Sequence, residues 1–239
     1  MGVRITGKNS ATMNIKFKKL FNVSQLGAAV TAVALLSSCN GMFSGIYDNE
    51  DESTKFDTDY GFIGAGDDGS MRIYIDASSY TVWNYLDLHN RRAVSEEIGG
   101  EENTEPEKWD FAVHRYDTKT NSGRVMATSL TSLAQAASLT SAPAGEWTED
   151  IWTTNKITVD MSHMMDGYLV YDESFYNPTL SGWLNVDTSS MPPSYSMSDR
   201  VYLLELADGT HAAIKLVNYM DNAGVKGFMT IDYIYPLKF

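Results

Sequence analysis

The chain has 239 residues, a formal net charge of −13 and one cysteine, Cys39. A surface this acidic is repelled by nucleic acid and by anionic lipid heads, so neither is a partner held by charge. A sole cysteine excludes an internal disulfide, while the length is ample for a domain with a real core.

Lys16, Lys18 and Lys19 form a basic segment, and Leu26 to Leu36 is an apolar run. The run is too short to span a bilayer as a stable helix and has the layout of an export signal. It ends in Leu36-Ser37-Ser38-Cys39, a lipobox: an aliphatic residue, two small residues that let a peptidase close on extended backbone, then cysteine. Cleavage before Cys39 and lipid on its sulfur are expected, giving a signal peptide over 1–38 and an anchored chain with no free thiol. Met1 to Thr12 fit no part of this layout, which makes Met13 a candidate start. The match of Met1-Gly2-Val3-Arg4-Ile5-Thr6 to a myristoylation signal is read as chance. The leader holds five basic residues and no acidic ones, so the 201 residues after it carry −18. No second hydrophobic stretch could span a membrane, and the lipid must do the anchoring.

Residues 39–60, with a nearly all-charged Asp48 to Glu52, read as a tether. Residues 61–239 then follow a mainly period-two pattern, which predicts an all-β domain. Strands are expected at Arg72–Ile75, Thr81–Leu88, Trp109–Tyr116, Tyr168–Tyr171 and Trp183–Val186. Val201–Leu206 and Ala212–Tyr219 flank Asp208-Gly209, a hairpin signal because glycine tolerates the positive φ of such turns. Phe228–Tyr235 is the last predicted strand, rich in aromatic and β-branched residues. Glu96–Lys108, Met126–Gly145, Tyr171–Leu180 and Asp187–Arg200 read as long connections. Leu130, Leu133 and Leu139 suggest one short helix in the second, and Pro192-Pro193 marks the fourth. Binding residues often sit on such loops.

Gly64-Ala65-Gly66-Asp67-Asp68-Gly69 has the spacing of a dinucleotide fingerprint, but a strand rather than a helix follows, and the aspartates would repel phosphate. It reads as a turn. Asp57-Thr58-Asp59-Tyr60-Gly61 lacks the ligand spacing and closing glutamate of a calcium loop. His89, His114, His163 and His211 show no zincin spacing, and no nucleophile elbow is present. His114 and His211 fall within strand patterns and are expected to be structural. Nothing in these patterns argues for an enzyme.

Methionine is the anomaly. Met161, Met164 and Met165 lie in Asp160-Met161-Ser162-His163-Met164-Met165-Asp166-Gly167, and Met191 and Met197 flank Pro192-Pro193-Ser194-Tyr195-Ser196. Buried methionine usually belongs to an apolar periodic pattern, whereas these sit among polar loop residues. On residue types alone loop-anchored packing is the commoner use. The sharper reading is a soft-ligand site, since thioether sulfur suits haem iron or copper(I).

Three segments carry a family resemblance. Trp109-Asp110-Phe111-Ala112-Val113-His114-Arg115-Tyr116-Asp117 resembles a stretch of the HmuY-like haem-binding lipoproteins, and so does Asp160 to Met165. The most distinctive run is Val201 to Leu206 through Asp208-Gly209, Lys215-Leu216 and Asn218-Tyr219-Met220 to Gly227-Phe228-Met229-Thr230-Ile231. The resemblance covers most of the chain from about Arg72 onward. It implies an all-β, hand-shaped single domain that grips haem b between loops. It also implies a non-enzymatic haemophore, at the outer-membrane surface or secreted. Such a protein takes haem from host haemoproteins and passes it to a TonB-dependent outer-membrane receptor.

Family members use two axial histidines or two methionines. The second loop here has no histidine, and the 27-residue separation of Met164 and Met191 is similar to that of the methionine type. These two are the expected axial ligands, with Met165, Met161 and Met197 as secondary candidates. Tyr195 and Phe175 are expected to cover the porphyrin faces. A surface lipoprotein capturing glycan or peptide for an outer-membrane transporter, and a structural adhesin, are competing readings of the same lipobox, acidic body and aromatic side chains.

Overall fold

The structure, a computed structural model, describes residues 60–66, 69–99, 105–189 and 192–239. The expected signal peptide, Cys39, nearly all of the tether and Met191 lie outside the described residues.

The first strands are β1 (Gly61–Ala65), β2 (Met71–Asp76), β3 (Val82–Asp87), β4 (Arg92–Glu97), β5 (Phe111–His114), β6 (Asp117–Thr120) and β7 (Arg124–Ala127). Helix α1 (Leu133–Ala137) follows, then β8 (Thr148–Glu149), β9 (Ile151–Asp160), β10 (Val170–Tyr176), β11 (Leu184–Asp187) and β12 (Ser194–Met197). The last three strands are β13 (Tyr202–Glu205), β14 (His211–Met220) and β15 (Lys226–Leu237). They form a seven-stranded sheet ordered β1-β2-β15-β14-β13-β7-β8, a four-stranded sheet ordered β4-β3-β5-β6, and two separate two-stranded ribbons, β9–β10 and β11–β12. The fold is all-β, as the period-two pattern predicts.

Alternation along the strands decides which face each residue serves. Phe111 and Val113 join Ile73, Ile75, Leu86, Leu204, Ile214 and Ile231 in one buried cluster that draws on both large sheets. The intervening Ala112 joins Trp83, Tyr85, Trp109 and Ile157 in another, on the opposite face of the small sheet. Leu203 and Ala213 likewise turn away from Leu204 and Ile214 to meet Leu133 and Ala136 of α1. The helix is the one anticipated around Leu133. Its start is fixed by Ser132, whose hydroxyl accepts from the Gln135 N–H while the Gln135 side chain accepts from the Ser132 N–H.

Two turns follow their residue types. At the Asp208-Gly209 hairpin the Leu206 N–H donates to Thr210 O at 2.8 Å, and Gly209 adopts φ 80°. The Gly64–Gly69 segment is the β1–β2 connection, with Gly66 N–H donating to Ser70 O. One ion pair is buried inside the large sheet: Arg72 and Asp232 are register partners and make two hydrogen bonds, one of 2.8 Å.

The structure departs from the predicted pattern at the ribbons. Tyr171–Leu180, expected as a connection, is mostly strand β10, and the expected Tyr168–Tyr171 strand begins only at Val170. Asp187–Arg200 holds strand β12. β9 was not anticipated at all. Of its ten residues only Thr153 and Ile157 are buried, so the period-two signature is missing. A ribbon lying outside the main sheets has no continuous core beneath it to impose that signature.

Candidate functional site

The first methionine segment closes the tip of one ribbon, and the described part of the second holds strand β12 of the other. In the first ribbon, β9 and β10 pair from Tyr176↔Ile151 at the base to Val170↔Asp160 at the tip, with two register breaks. Residues 161–169 close the tip. Asp160 starts the turn by accepting from the Ser162 N–H at 2.7 Å and hydroxyl at 3.0 Å, which holds its carboxyl below the usual range. A single 3-10 turn, Met164–Asp166, follows. It ends at Gly167, whose φ of 88° lets its N–H donate back to Met164 O. His163 stacks on Tyr168 with centroids 4.7 Å apart and an interplanar angle of 12°. Its Nδ1 lies 3.2 Å from Asp166 Oδ2.

The tip is thus braced by its own polar groups, and its methionines are spare. Met164 is 41% and Met165 89% exposed. Met161 is half-buried. Packing, the commoner use on residue types alone, does not describe Met164 and Met165. It does describe Met220, which is buried in the main core.

In the second ribbon, Asp187 pairs with Ser194 beside the turn and Leu184 with Met197 at the base. Asp187 is held ionised by the Ser189 N–H at 2.9 Å. Met191 lies outside the described residues. Met197 is exposed at the ladder's other end, next to Ser198, whose N–H donates to Trp183 O. Three strand steps, roughly 10 Å, separate it from Ser194.

The aromatic candidates sit lower. Tyr195 stacks on Tyr219 at 5.7 Å with Lys226 Nζ 4.8 Å from its ring centroid, so it ties the ribbon to β14 and β15. Phe175 is at the base of the first ribbon, opposite Trp152. Eight strand steps from Trp152 to Asp160, roughly 25 Å along the ribbon, lie between that pair and the tip. The structure therefore does not bring Phe175 to Met164. Tyr168, Val170 and Tyr171, all exposed, stand nearer.

The two ribbons share a root. Asn177, just past β10, donates its N–H to Thr118 O at 2.7 Å. Its side chain donates to Asp150 Oδ1 and Thr148 O before the start of β9, and accepts from Leu180 N–H. A 3-10 turn, Leu180–Trp183, then leads into β11, and the Trp183 indole N–H donates to Tyr116 O at 2.9 Å. The first ribbon's exit and the second's start are thus pinned two residues apart, at Thr118 and Tyr116. Asn177 and Trp183 carried no functional signal in the sequence, because each is an ordinary buried residue whose role is purely positional.

Elsewhere, Asp87, His89 and Asp110 place ligand-type atoms within 4.8 Å of one another. Both His89 nitrogens are engaged, by Asp110 at 3.2 Å and Asp208 at 3.0 Å, and these carboxylates raise its pKa against the opposing effect of burial. Asp87 is held by Asn90. The imidazole itself occupies the place of a cation. His114 and His211 lie in strands β5 and β14, in keeping with structural roles.

The HmuY protein family matches residues 79–233. Among solved structures, a "putative HmuY_like heme binding protein" from Bacteroides vulgatus is 51% identical, with TM-score 0.71, covering 76% of this chain and all of its own. A "putative lipoprotein" from Bacteroides fragilis is 50% identical, with TM-score 0.70, covering 76% of this chain and 98% of its own. The apo HmuY analog of Tannerella forsythia is 25% identical, with TM-score 0.59, over 69% of this chain and 94% of its own. No curated protein matches. With well over half of its length inside the family match and a solved relative 51% identical over 76% of it, the chain belongs to the HmuY family.

Proposed function

We propose that this protein is a haem-binding surface lipoprotein, a haemophore that holds haem b between its two ribbon tips through the thioethers of Met164 and Met191. The observation that carries the reading is the exposure of Met164 and Met165 on a tip braced without them, in a chain of this family. An unbranched thioether is a neutral, soft donor able to ligate haem iron.

The surroundings fit the group. Porphyrin is a large apolar plate, and of the eleven large hydrophobic side chains exposed in the described residues, five, Met164, Met165, Tyr168, Val170 and Tyr171, lie at or beside the β9–β10 tip. Such a concentration marks a contact surface rather than chance exposure. Cys39 would carry the lipid that anchors the protein to the outer membrane, on its surface. Host haemoproteins would be the donors and a TonB-dependent receptor the acceptor, with no enzymatic step.

The test is a titration of haemin into purified Asn40–Phe239. A sharp Soret band, with resolved low-spin bands on reduction, is expected. A spectrum no different from free haemin would refute the proposal. Protease treatment of intact cells tests display, and complete protection of the protein would refute a surface location.

A further inference from the structure

The base of the first ribbon carries exposed aromatic surface that the methionine tip does not use. Trp152 and Phe175 are directly opposed in the β9–β10 ladder. Their ring centroids are 5.2 Å apart at 81°, and they are 56% and 52% exposed. The register break between Asp172 and Ser174 lies immediately before Phe175, and bulges of this kind re-aim side chains. Paired aromatics left in water contribute little to folding and mark a place where something docks.

Phe175 also forms the rim of a cavity of about 360 Å³, whose other walls include Trp109, Lys119, Asn121, Glu149 and Asp150. That volume is at the lower end of small-ligand sites. Its polar groups are already fixed. Asp150 accepts from Thr120 N–H at 2.6 Å, Thr120 hydroxyl at 3.0 Å and Asn177 Nδ2 at 2.8 Å. Asn121 donates its Nδ2 to Trp109 O at 2.9 Å. Lys119 Nζ donates to Tyr85 Oη at 3.1 Å and Glu105 Oε1 at 2.6 Å, and lies 4.5 Å from the Trp83 ring centroid.

Charge narrows the ligand class. Lys119 neutralises Glu105, and Asp150 accepts from three donors, so no bare carboxylate cluster awaits a cation. The cavity instead offers fixed amide, hydroxyl and carboxylate groups beside an aromatic platform. That combination suits a pyranose, which presents C–H faces to rings and hydroxyls at its edge to mixed donors and acceptors. We infer that the Trp152–Phe175 pair and the adjoining cavity form a carbohydrate-binding site for the neutral pyranose end of an oligosaccharide, separate from the methionine tip. Neither site's existence depends on the other.

The experiment uses the full chain in detergent. Maltotriose, laminaritriose, cellotriose and chitotriose are titrated separately, with saturation-transfer NMR and tryptophan fluorescence as readouts, and spermidine is run as a cationic control. At least one trisaccharide should bind. Trp152→Ala/Phe175→Ala should weaken that binding about tenfold or more, while Met164→Ala leaves it unchanged. The aromatic double variant should still bind haemin as the wild type does. Both replaced side chains are exposed, so the fold should survive, and an unchanged circular dichroism spectrum checks this. Absence of binding by all four sugars, binding indifferent to the double variant, spermidine binding in their place, or haemin binding lost with the aromatic pair would each overturn the inference.

Discussion

At the scale of single residues, the methionines divide by burial. Met220 is a core residue, so Met220→Ala should cost about 2–5 kcal/mol of stability by denaturant unfolding and leave any haem spectrum alone. Met164→Ala and Met191→Ala should each weaken haem binding and disturb the low-spin bands. A single variant can be masked because Met165 adjoins Met164. The double variant is the fairer measurement, and effects on one shared iron will not add. If the double variant keeps a wild-type reduced spectrum and affinity, this ligand pair is wrong, and Met165, Met161 and Met197 become the next to replace. A thioether does not titrate, so ferrous haem binding should stay nearly flat from about pH 7.5 to about 5.5, apart from a slope contributed by the propionates. A steep loss of the low-spin spectrum near the imidazole range would point to a histidine ligand, with His163 in the same tip as the first suspect.

At the scale of elements, the ribbons depend on their root. Asn177 is fully buried and joins Thr118, Asp150, Thr148 and Leu180. Asn177→Ala strands several of these groups and should cost about 1–3 kcal/mol in urea unfolding. Amide exchange should quicken in both ribbons if they share this root, and acceleration confined to β9–β10 would show the second ribbon to be held independently. Four strands of the large sheet, β2, β13, β14 and β15, were legible in the sequence because alternate residues enter a core, while β1, β7 and β8 carried no such expectation. Of the ribbon strands, β11 was expected at Trp183–Val186, whereas β9 was not, since Thr153 and Ile157 alone are buried in it. β6 failed differently. Thr118, Lys119 and Thr120 lie beyond the expected Trp109–Tyr116 strand with no apolar alternation, yet all three are buried, with polar atoms satisfied by Ser181, Tyr85, Glu105, Gly123 and Asp150. Of the site, the methionine segments were visible in residue type. Their support and the distance of Phe175 from them depend on register, which one sequence does not display.

Across the whole molecule, two groups, the buried His114 and the half-buried Asp117, make stability depend on pH with opposite signs. His114 is fully buried with Nε2 donating to Tyr80 O and Nδ1 unpartnered, and burial lowers its pKa to about 4. Between that value and about 6.5 the unfolded chain takes up a proton that the folded chain refuses. Stability is therefore intact above pH 6.5 and falls as the pH drops toward 4, by up to about 3 kcal/mol. Burial instead raises the pKa of Asp117 to about 7, against the pull of Lys156 and Arg115. The folded state binds that proton more tightly, so this group adds stability as the pH falls from 7 toward 4. Asp117→Asn removes the compensation and should steepen the acid-side loss, read as unfolding free energy against pH. An unchanged slope, or a His114 NMR titration centred near pH 6.5, would contradict this balance.

The first tip has one more consequence. None of residues 161–169 is buried, and their turn is held by bonds among Asp160, Ser162, His163, Asp166, Gly167 and Tyr168. Replacing a side chain there changes the chemistry that the tip presents without opening a cavity in any of the three apolar clusters. Selection can therefore exchange one side chain for another at this position with little penalty in folding, while the scaffold stays the same.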